Sequence, residues 1–127
     1  MESKSVIVCV DDEKIVLNSL QSVLSRKLGK TYELEFAESG EEALEILTDF
    51  EDSSSKLIVF ITDWLMPNMK GDELLYKVKK KFPNTKTILL SGQIDWQADH
   101  MEEVKTWLDY FIAKPWTEEE LISRILK

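Results

Sequence analysis

The sequence predicts an α/β fold, a doubly wound five-stranded parallel sheet with helices on both faces. Three features of the chain point there. Val6-Ile7-Val8-Cys9-Val10 and Leu57-Ile58-Val59-Phe60-Ile61 are continuous apolar runs rich in β-branched residues, as strands buried on both faces are. Tyr32-Glu33-Leu34-Glu35-Phe36 alternates strictly, as a strand with one buried face does. Between such runs lie segments with helical spacing, so that the chain reads strand then helix five times. That alternation implies parallel strands joined by right-handed crossovers.

Each element has a local reason. The first strand, Val6 to Val10, ends in Asp11-Asp12-Glu13, and Leu17, Leu20, Leu24 and Leu28 then recur at helical spacing up to Gly29. The alternating run 32–36 supplies the second strand. Ser39-Gly40-Glu41-Glu42 fits a capping box that opens a helix through Ala43, Leu44, Ile46 and Leu47. Glu51-Asp52-Ser53-Ser54-Ser55-Lys56 reads as a solvated loop before the third strand. That strand runs into Thr62-Asp63, and Met66-Pro67 and Gly71 then punctuate a loop. Leu74, Leu75, Val78 and Phe82 mark the third helix, which Pro83 stops. Lys77, Lys79, Lys80 and Lys81 fall at its end, where cations are favourable with the helix dipole.

Thr87-Ile88-Leu89-Leu90 is the fourth strand and Tyr110-Phe111-Ile112-Ala113 the fifth. Asp95 can cap the helix between them, which carries Ala98, Met101, Val104 and Leu108. Thr117-Glu118-Glu119-Glu120 is a second capping box, and Leu121, Ile122 and Ile125 give the last helix its apolar face. With the half-buried second strand at an edge and the first and third inside, the arrangement is flavodoxin-like (βα)5. Its strand order is 2-1-3-4-5, with the switch point between strands one and three.

Bulk properties narrow the function. The chain has 127 residues, a net charge of −8, 43% hydrophobic and 31% charged residues. This describes a globular domain with its own core. No apolar run approaches the roughly 20 residues that span a bilayer, and the N-terminus lacks signal-peptide regions. The single cysteine, Cys9, fits a reducing compartment, so the cytoplasm is the expected location. An acidic chain without a basic, aromatic-interleaved face is not expected to bind nucleic acid directly.

Four strands end in polar groups: Asp11-Asp12, Asp63, Ser91 and Lys114. In a parallel sheet these ends share one edge, the edge where open α/β sheets bind ligands. Three carboxylates converging there repel one another unless a cation neutralises them, and hard oxygen donors select Mg²⁺ or Mn²⁺. Mg²⁺ commonly shares itself with a phosphate. A lysine ammonium and a hydroxyl are suited to phosphoryl oxygens. With a carboxylate nucleophile, these are the parts of an in-line phosphoryl-transfer site. Singly, each residue has an ordinary structural use: Asp12 as a helix cap, Ser91-Gly92 as loop chemistry, Lys114-Pro115 as a turn.

On Asp11-Asp12-Glu13, Thr62-Asp63-Trp64-Leu65-Met66-Pro67 with Gly71, Leu90-Ser91-Gly92 and Lys114-Pro115-Trp116, the chain resembles the receiver domains of two-component response regulators. The resemblance covers essentially the whole chain, residues 1–127, as a single receiver domain. It implies that Asp63 accepts a phosphoryl group from the phosphohistidine of a histidine kinase or a histidine phosphotransfer protein. It further implies that Asp12 and Asp63 ligate Mg²⁺ directly, Asp11 acts through water and Leu65 adds its backbone carbonyl. Ser91 and Lys114 would hold the phosphoryl group, and Phe111 matches the aromatic switch position. Such a domain is a signalling module that catalyses its own phosphorylation and dephosphorylation. Its outputs are a fused domain or an effector protein, and the resemblance admits a phosphorylation-dependent dimer. Ser91 stands where Thr is more frequent, Phe111 where Tyr is, and Gly92 where Ala is. Leu65 and Gln93 place no acid or base beside the phosphoryl group.

Two other chemistries compete for this pattern. A phosphohydrolase of the haloacid-dehalogenase type wants a second Asp two residues after the first, where this chain has Leu65. A flavin-binding electron carrier wants a hydroxyl- and glycine-rich loop after the first strand, where Asp11-Asp12-Glu13 would repel phosphate.

The fourth helix carries the remaining signal. If it runs regularly from Asp95 to Leu108, then Trp96, His100, Glu103 and Trp107 fall opposite its buried stripe. Either Trp96 and Trp107 form a contact surface, or the helix bends or starts late and the rings tuck inward. Trp64 and Cys9 read as packing residues.

Overall fold

The two apolar runs lie side by side at the centre of the sheet. The computed structural model describes residues 5–49, 56–92 and 101–127. In chain order the elements are β1 (Ser5–Val10), α1 (Lys14–Leu28), β2 (Glu33–Ala37), α2 (Gly40–Thr48), β3 (Lys56–Thr62), α3 (Gly71–Lys81), β4 (Lys86–Ser91), α4 (Met101–Trp107), β5 (Tyr110–Ala113) and α5 (Glu118–Leu126). The sheet order is β2-β1-β3-β4-β5, and every pairing is parallel. The expected topology is the observed one.

Strand alternation divides the interior into two cores. Val6, Val8, Val10, Phe60 and Leu89 face the side covered by α2, α3 and α4. Ile7, Cys9, Val59, Ile61, Ile88, Leu90 and Ile112 face α1 and α5. The alternation slips once: Val6 pairs with Leu57 but Ile7 with Val59, which leaves Ile58 as a bulge in β3. Leu17, Leu20, Leu24 and Leu28 are the buried positions of α1. Burying each is worth about 1.5–3 kcal/mol, so α1 is held by its stripe and not by its start, where Glu13 makes no side-chain cap.

The caps of two other helices form as their sequences suggest. The Ser39 hydroxyl accepts the Glu42 N–H at 3.0 Å, and the Thr117 hydroxyl accepts the Glu120 N–H at 3.1 Å. The Glu42 carboxylate reaches one residue further back than a capping box requires, accepting from the Glu38 N–H at 2.7 Å. At the far end of α5, the Lys86 ammonium donates to the carbonyls of Arg124 and Ile125, both at 2.9 Å. The basic run of α3 is its last two turns, as its position before Pro83 suggests.

Trp107 departs from its expected place opposite the buried stripe of α4. Its ring is half-buried, packs against the α2–α4 core, and meets Tyr76 of α3 edge-on with centroids 5.0 Å apart. Met101 and Val104 are the buried residues of α4. At about 100° per residue, Trp107 falls on the flank of that stripe and its large ring reaches α3. A contact surface using Trp107 as an exposed ring is therefore not present. Glu103, expected on the same face, is exposed, whereas Asp95, Trp96 and His100 lie outside the described residues.

Candidate functional site

The C-terminal ends of β1, β3, β4 and β5 bring the predicted polar residues to one edge. Asp63 follows the last residue of β3, and its N–H donates to the Val10 carbonyl at 3.1 Å. The neighbouring strand thus positions the aspartate backbone. The side chain is 8% exposed. Its Oδ1 accepts the Trp64 N–H at 2.7 Å, while its Oδ2 lies 3.5 Å from the Lys114 ammonium. Carboxylate oxygens of Asp11, Asp12 and Asp63 lie within 4.8 Å of one another.

The two acidic neighbours differ in setting. Asp11 is fully buried; its Oδ1 accepts the Glu13 N–H at 2.9 Å and its Oδ2 accepts from Lys114 at 3.0 Å. Asp12 is exposed, and its use as a cap for α1 is not seen, since Glu13 occupies the cap position. Lys114 also lies 3.9 Å from a Glu13 oxygen. One ammonium therefore lies within 4 Å of three carboxylates, those of Asp11, Glu13 and Asp63, with Asp12 clustered beside two of them. Burial raises the Asp63 carboxyl above the usual carboxylate range and Asp11 adds to this, against the opposing pull of Lys114 and the Trp64 N–H. Burial works to lower the Lys114 ammonium, but the hydrogen bond and charge of Asp11, with Asp63, hold it above its ordinary value. The edge thus carries a surplus of negative charge in a partly dehydrated place. Hard oxygen donors in that arrangement suit a small divalent cation.

The loop after β3 is tightly folded onto the aspartate. The Gly71 N–H donates to the Trp64 carbonyl at 2.9 Å, and a Cβ at Gly71 would lie 2.3 Å from the Asp63 carbonyl oxygen. A side chain there would displace the backbone that carries Asp63. Asn68, with φ of 70°, makes the left-handed bend within this loop. Trp64 is buried in the core, as expected of a packing residue. Leu65 lies two residues past Asp63 and is an exposed residue. Ser91, the last residue of β4, is buried.

Phe111 is not at the site itself. It pairs with Leu89 on β4, is half-buried, and packs on the α2–α4 core. The Trp64 N–H and the Gly71 contact had no signal of their own beyond their positions around Asp63. Both are backbone geometry, which residue type alone does not encode.

A family model described as the response regulator receiver domain matches residues 7–126. The chain belongs to the response-regulator receiver domains. This receiver domain is 34% identical over 121 residues to a chemotaxis protein CheY homolog of Campylobacter jejuni, covering 94% of this chain and 88% of that one. It is 30% identical over 120 residues to the transcriptional regulatory protein YesN of Bacillus subtilis, covering 94% of this chain but 31% of that protein. Among solved structures, a signal receiver domain of an HD domain-containing protein from Pseudomonas fluorescens superposes with a TM-score of 0.81. That match has 28% identity and covers 97% of this chain and 92% of the other. The receiver domain is thus a CheY-like signalling domain of two-component systems and not a classical enzyme. Among the described residues no helix is long and apolar enough to cross a membrane.

Proposed function

We propose that residues 1–127 form a single cytoplasmic receiver domain whose Asp63 carboxylate accepts a phosphoryl group from a phosphohistidine. The donor is a histidine kinase or a histidine phosphotransfer protein. The observation that carries the reading is the setting of Asp63: a buried carboxylate at the end of a central strand, 3.5 Å from Lys114 and clustered with Asp11 and Asp12. In the reaction an Asp63 oxygen attacks phosphorus, the phosphorus–nitrogen bond of the donor breaks, and the imidazole leaves. The Trp64 N–H holds the carboxylate in one orientation, which removes a rotational cost from the attack. Lys114 offsets charge on the phosphoryl oxygens, and the Ser91 hydroxyl donates to one of them.

Asp11, Asp12 and Asp63, with the Leu65 carbonyl, would hold Mg²⁺ or Mn²⁺. Their clustered hard oxygens and single counter-charge fit such an ion. When bound, the ion neutralises the carboxylates and the incoming phosphoryl oxygens. The same residues serve the self-catalysed loss of the phosphoryl group to water. Movement of Ser91 toward the phosphoryl group vacates space into which Phe111 turns, which remodels the surface of α4 and β5 for an output domain, an effector or a second receiver.

Incubation with Mg²⁺ and acetyl phosphate tests the reading. One phosphoryl adduct, labile to hydroxylamine and absent from Asp63→Ala, is the expected result. An adduct that persists in Asp63→Ala overturns it.

A further inference from the structure

The corner between β2 and α2 contributes no candidate site residue, yet both halves of the site rest on it. On one side the Ala37 carbonyl accepts the Asp11 N–H at 3.1 Å, which places the strand end that carries Asp11 and Asp12. On the other side Gly40, in the first turn of α2, lies against Met69 of the loop that follows Asp63. A Cβ at Gly40 would stand 2.8 Å from the Met69 sulfur, 3.2 Å from its Cβ and 3.3 Å from its Cγ. The sulfur can swing aside, but the Met69 Cβ is fixed to the backbone and moves only with the loop. Conformation does not call for glycine here. Among the described residues no glycine has a positive φ, and in a helix alanine is otherwise preferred. Close packing explains the missing side chain.

The loop is seated along its length. Trp64, Met66 and Met69 are buried in the α2–α4 core, while Leu65 and Pro67 between them are exposed. The Met69 N–H donates to the Pro67 carbonyl at 2.8 Å, which tightens the same stretch. The other wall of the seat is equally firm, since the Ser39 hydroxyl and the Glu42 carboxylate both bond backbone N–H groups at the start of α2. We propose that Gly40 and Met69 are positioning residues for the metal. The bare first turn of α2 seats Met69, and this sets how far Asp63 and the Leu65 carbonyl stand from Asp11 and Asp12. The role rests on Mg²⁺ being held by those four groups. Residues that support metal ligands from behind typically change affinity by about 10–100-fold when lost.

The test is a Mg²⁺ titration of the isotope-labelled full chain followed by amide NMR, with urea denaturation of each metal-free variant in parallel. Gly40→Ala should weaken Mg²⁺ binding about tenfold and shift the amides of Leu65 and Met69 before any metal is added. Met69→Ala, which empties the seat from the other side, should weaken binding to a similar degree. The double variant should bind no more weakly than the weaker single one, because both act through one contact. Leu47→Ala opens a cavity two turns along the same helix; it should lower the urea midpoint and leave Mg²⁺ affinity unchanged. Where Gly40→Ala fails to fold, Met69→Ala decides. The positioning role is overturned if either folded single variant binds Mg²⁺ as tightly as wild type, or if their effects add. Weakening by Leu47→Ala as large as that by Gly40→Ala overturns it too, since affinity would then follow stability alone. A wild type that binds no Mg²⁺ removes the metal reading and this role together, whereas equal binding by wild type and variants removes only the role of the corner.

Discussion

Asp63 and Asp109 each face a lysine, at opposite ends of the same sheet, with opposite consequences. Asp109 precedes β5. Its Oδ2 accepts the Thr87 N–H at 2.8 Å, the Lys79 ammonium at 3.0 Å and the Thr87 hydroxyl at 3.3 Å. Burial disfavours its charge, but these donors outweigh burial and hold its carboxyl below the usual range. Lys79 also donates to the Thr85 carbonyl at 2.7 Å, and the Thr87 hydroxyl to the Trp107 carbonyl at 2.6 Å. The result ties α3, β4, the end of α4 and β5 together. Asp63 is more buried, shares its lysine with Asp11, and has its carboxyl held above the usual range. One end of the sheet satisfies its carboxylate; the other leaves it wanting a cation. That contrast matches the proposed roles, a structural aspartate at one end and a phosphoacceptor at the other.

The comparison can be broken at several points. Lys114→Met removes the ammonium shared by Asp11 and Asp63. Phosphorylation by acetyl phosphate should slow about a hundredfold, measured as the initial rate of adduct formation; a rate close to wild type would remove Lys114 from the chemistry. Asp109→Ala leaves the Thr87 N–H and Lys79 without their acceptor. It should cost about 1–2 kcal/mol in urea denaturation, a figure already reduced because the side chain is 43% exposed. Asp63→Asn should act in the other direction and stabilise the metal-free protein by about 1 kcal/mol at neutral pH, as reactive-site replacements do. If both substitutions destabilise, the two ends do not differ as described.

The pH dependence has matching signs. The Asp109 contribution is fully present above the ordinary aspartate value and is lost as pH falls through its lowered folded value, so wild type and Asp109→Asn should converge in strong acid. The Asp63 carboxyl is raised, so its folded-state benefit belongs to the protonated form and is lost as pH rises through the raised value. The advantage of Asp63→Asn should therefore shrink on acidification. Paired urea midpoints across the acid range measure both trends. The smallest effect is ionic: added Mg²⁺ should raise the midpoint of wild type more than that of Asp63→Asn.

Much of this was legible in the residues. The apolar runs of β1 and β3 and the alternation of β2 indicate the strand order, because burial on two faces or one leaves different patterns. The strand ends indicate the site because a parallel sheet brings them to one edge. The second strand is Glu33–Ala37 and not 32–36, because Ala37 is buried and its carbonyl accepts the Asp11 N–H at 3.1 Å. That bond is between segments far apart in sequence. The Asp109 tie escaped for the same reason: Lys79, Thr87 and Asp109 lie on three elements, and no local pattern links them. Trp107 misled because periodicity gives a direction from the axis and not the reach of an indole toward Tyr76.

The central claim is that Asp63 is the residue phosphorylated. Borohydride reduction of the acetyl-phosphate-treated protein, followed by peptide mass mapping, reports the site directly, because an aspartyl phosphate is reduced to homoserine. The account predicts homoserine at position 63 alone, only in samples treated with both Mg²⁺ and acetyl phosphate. Homoserine at position 11 or 12, or an unmodified position 63 in a protein that has gained the phosphoryl mass, would contradict it.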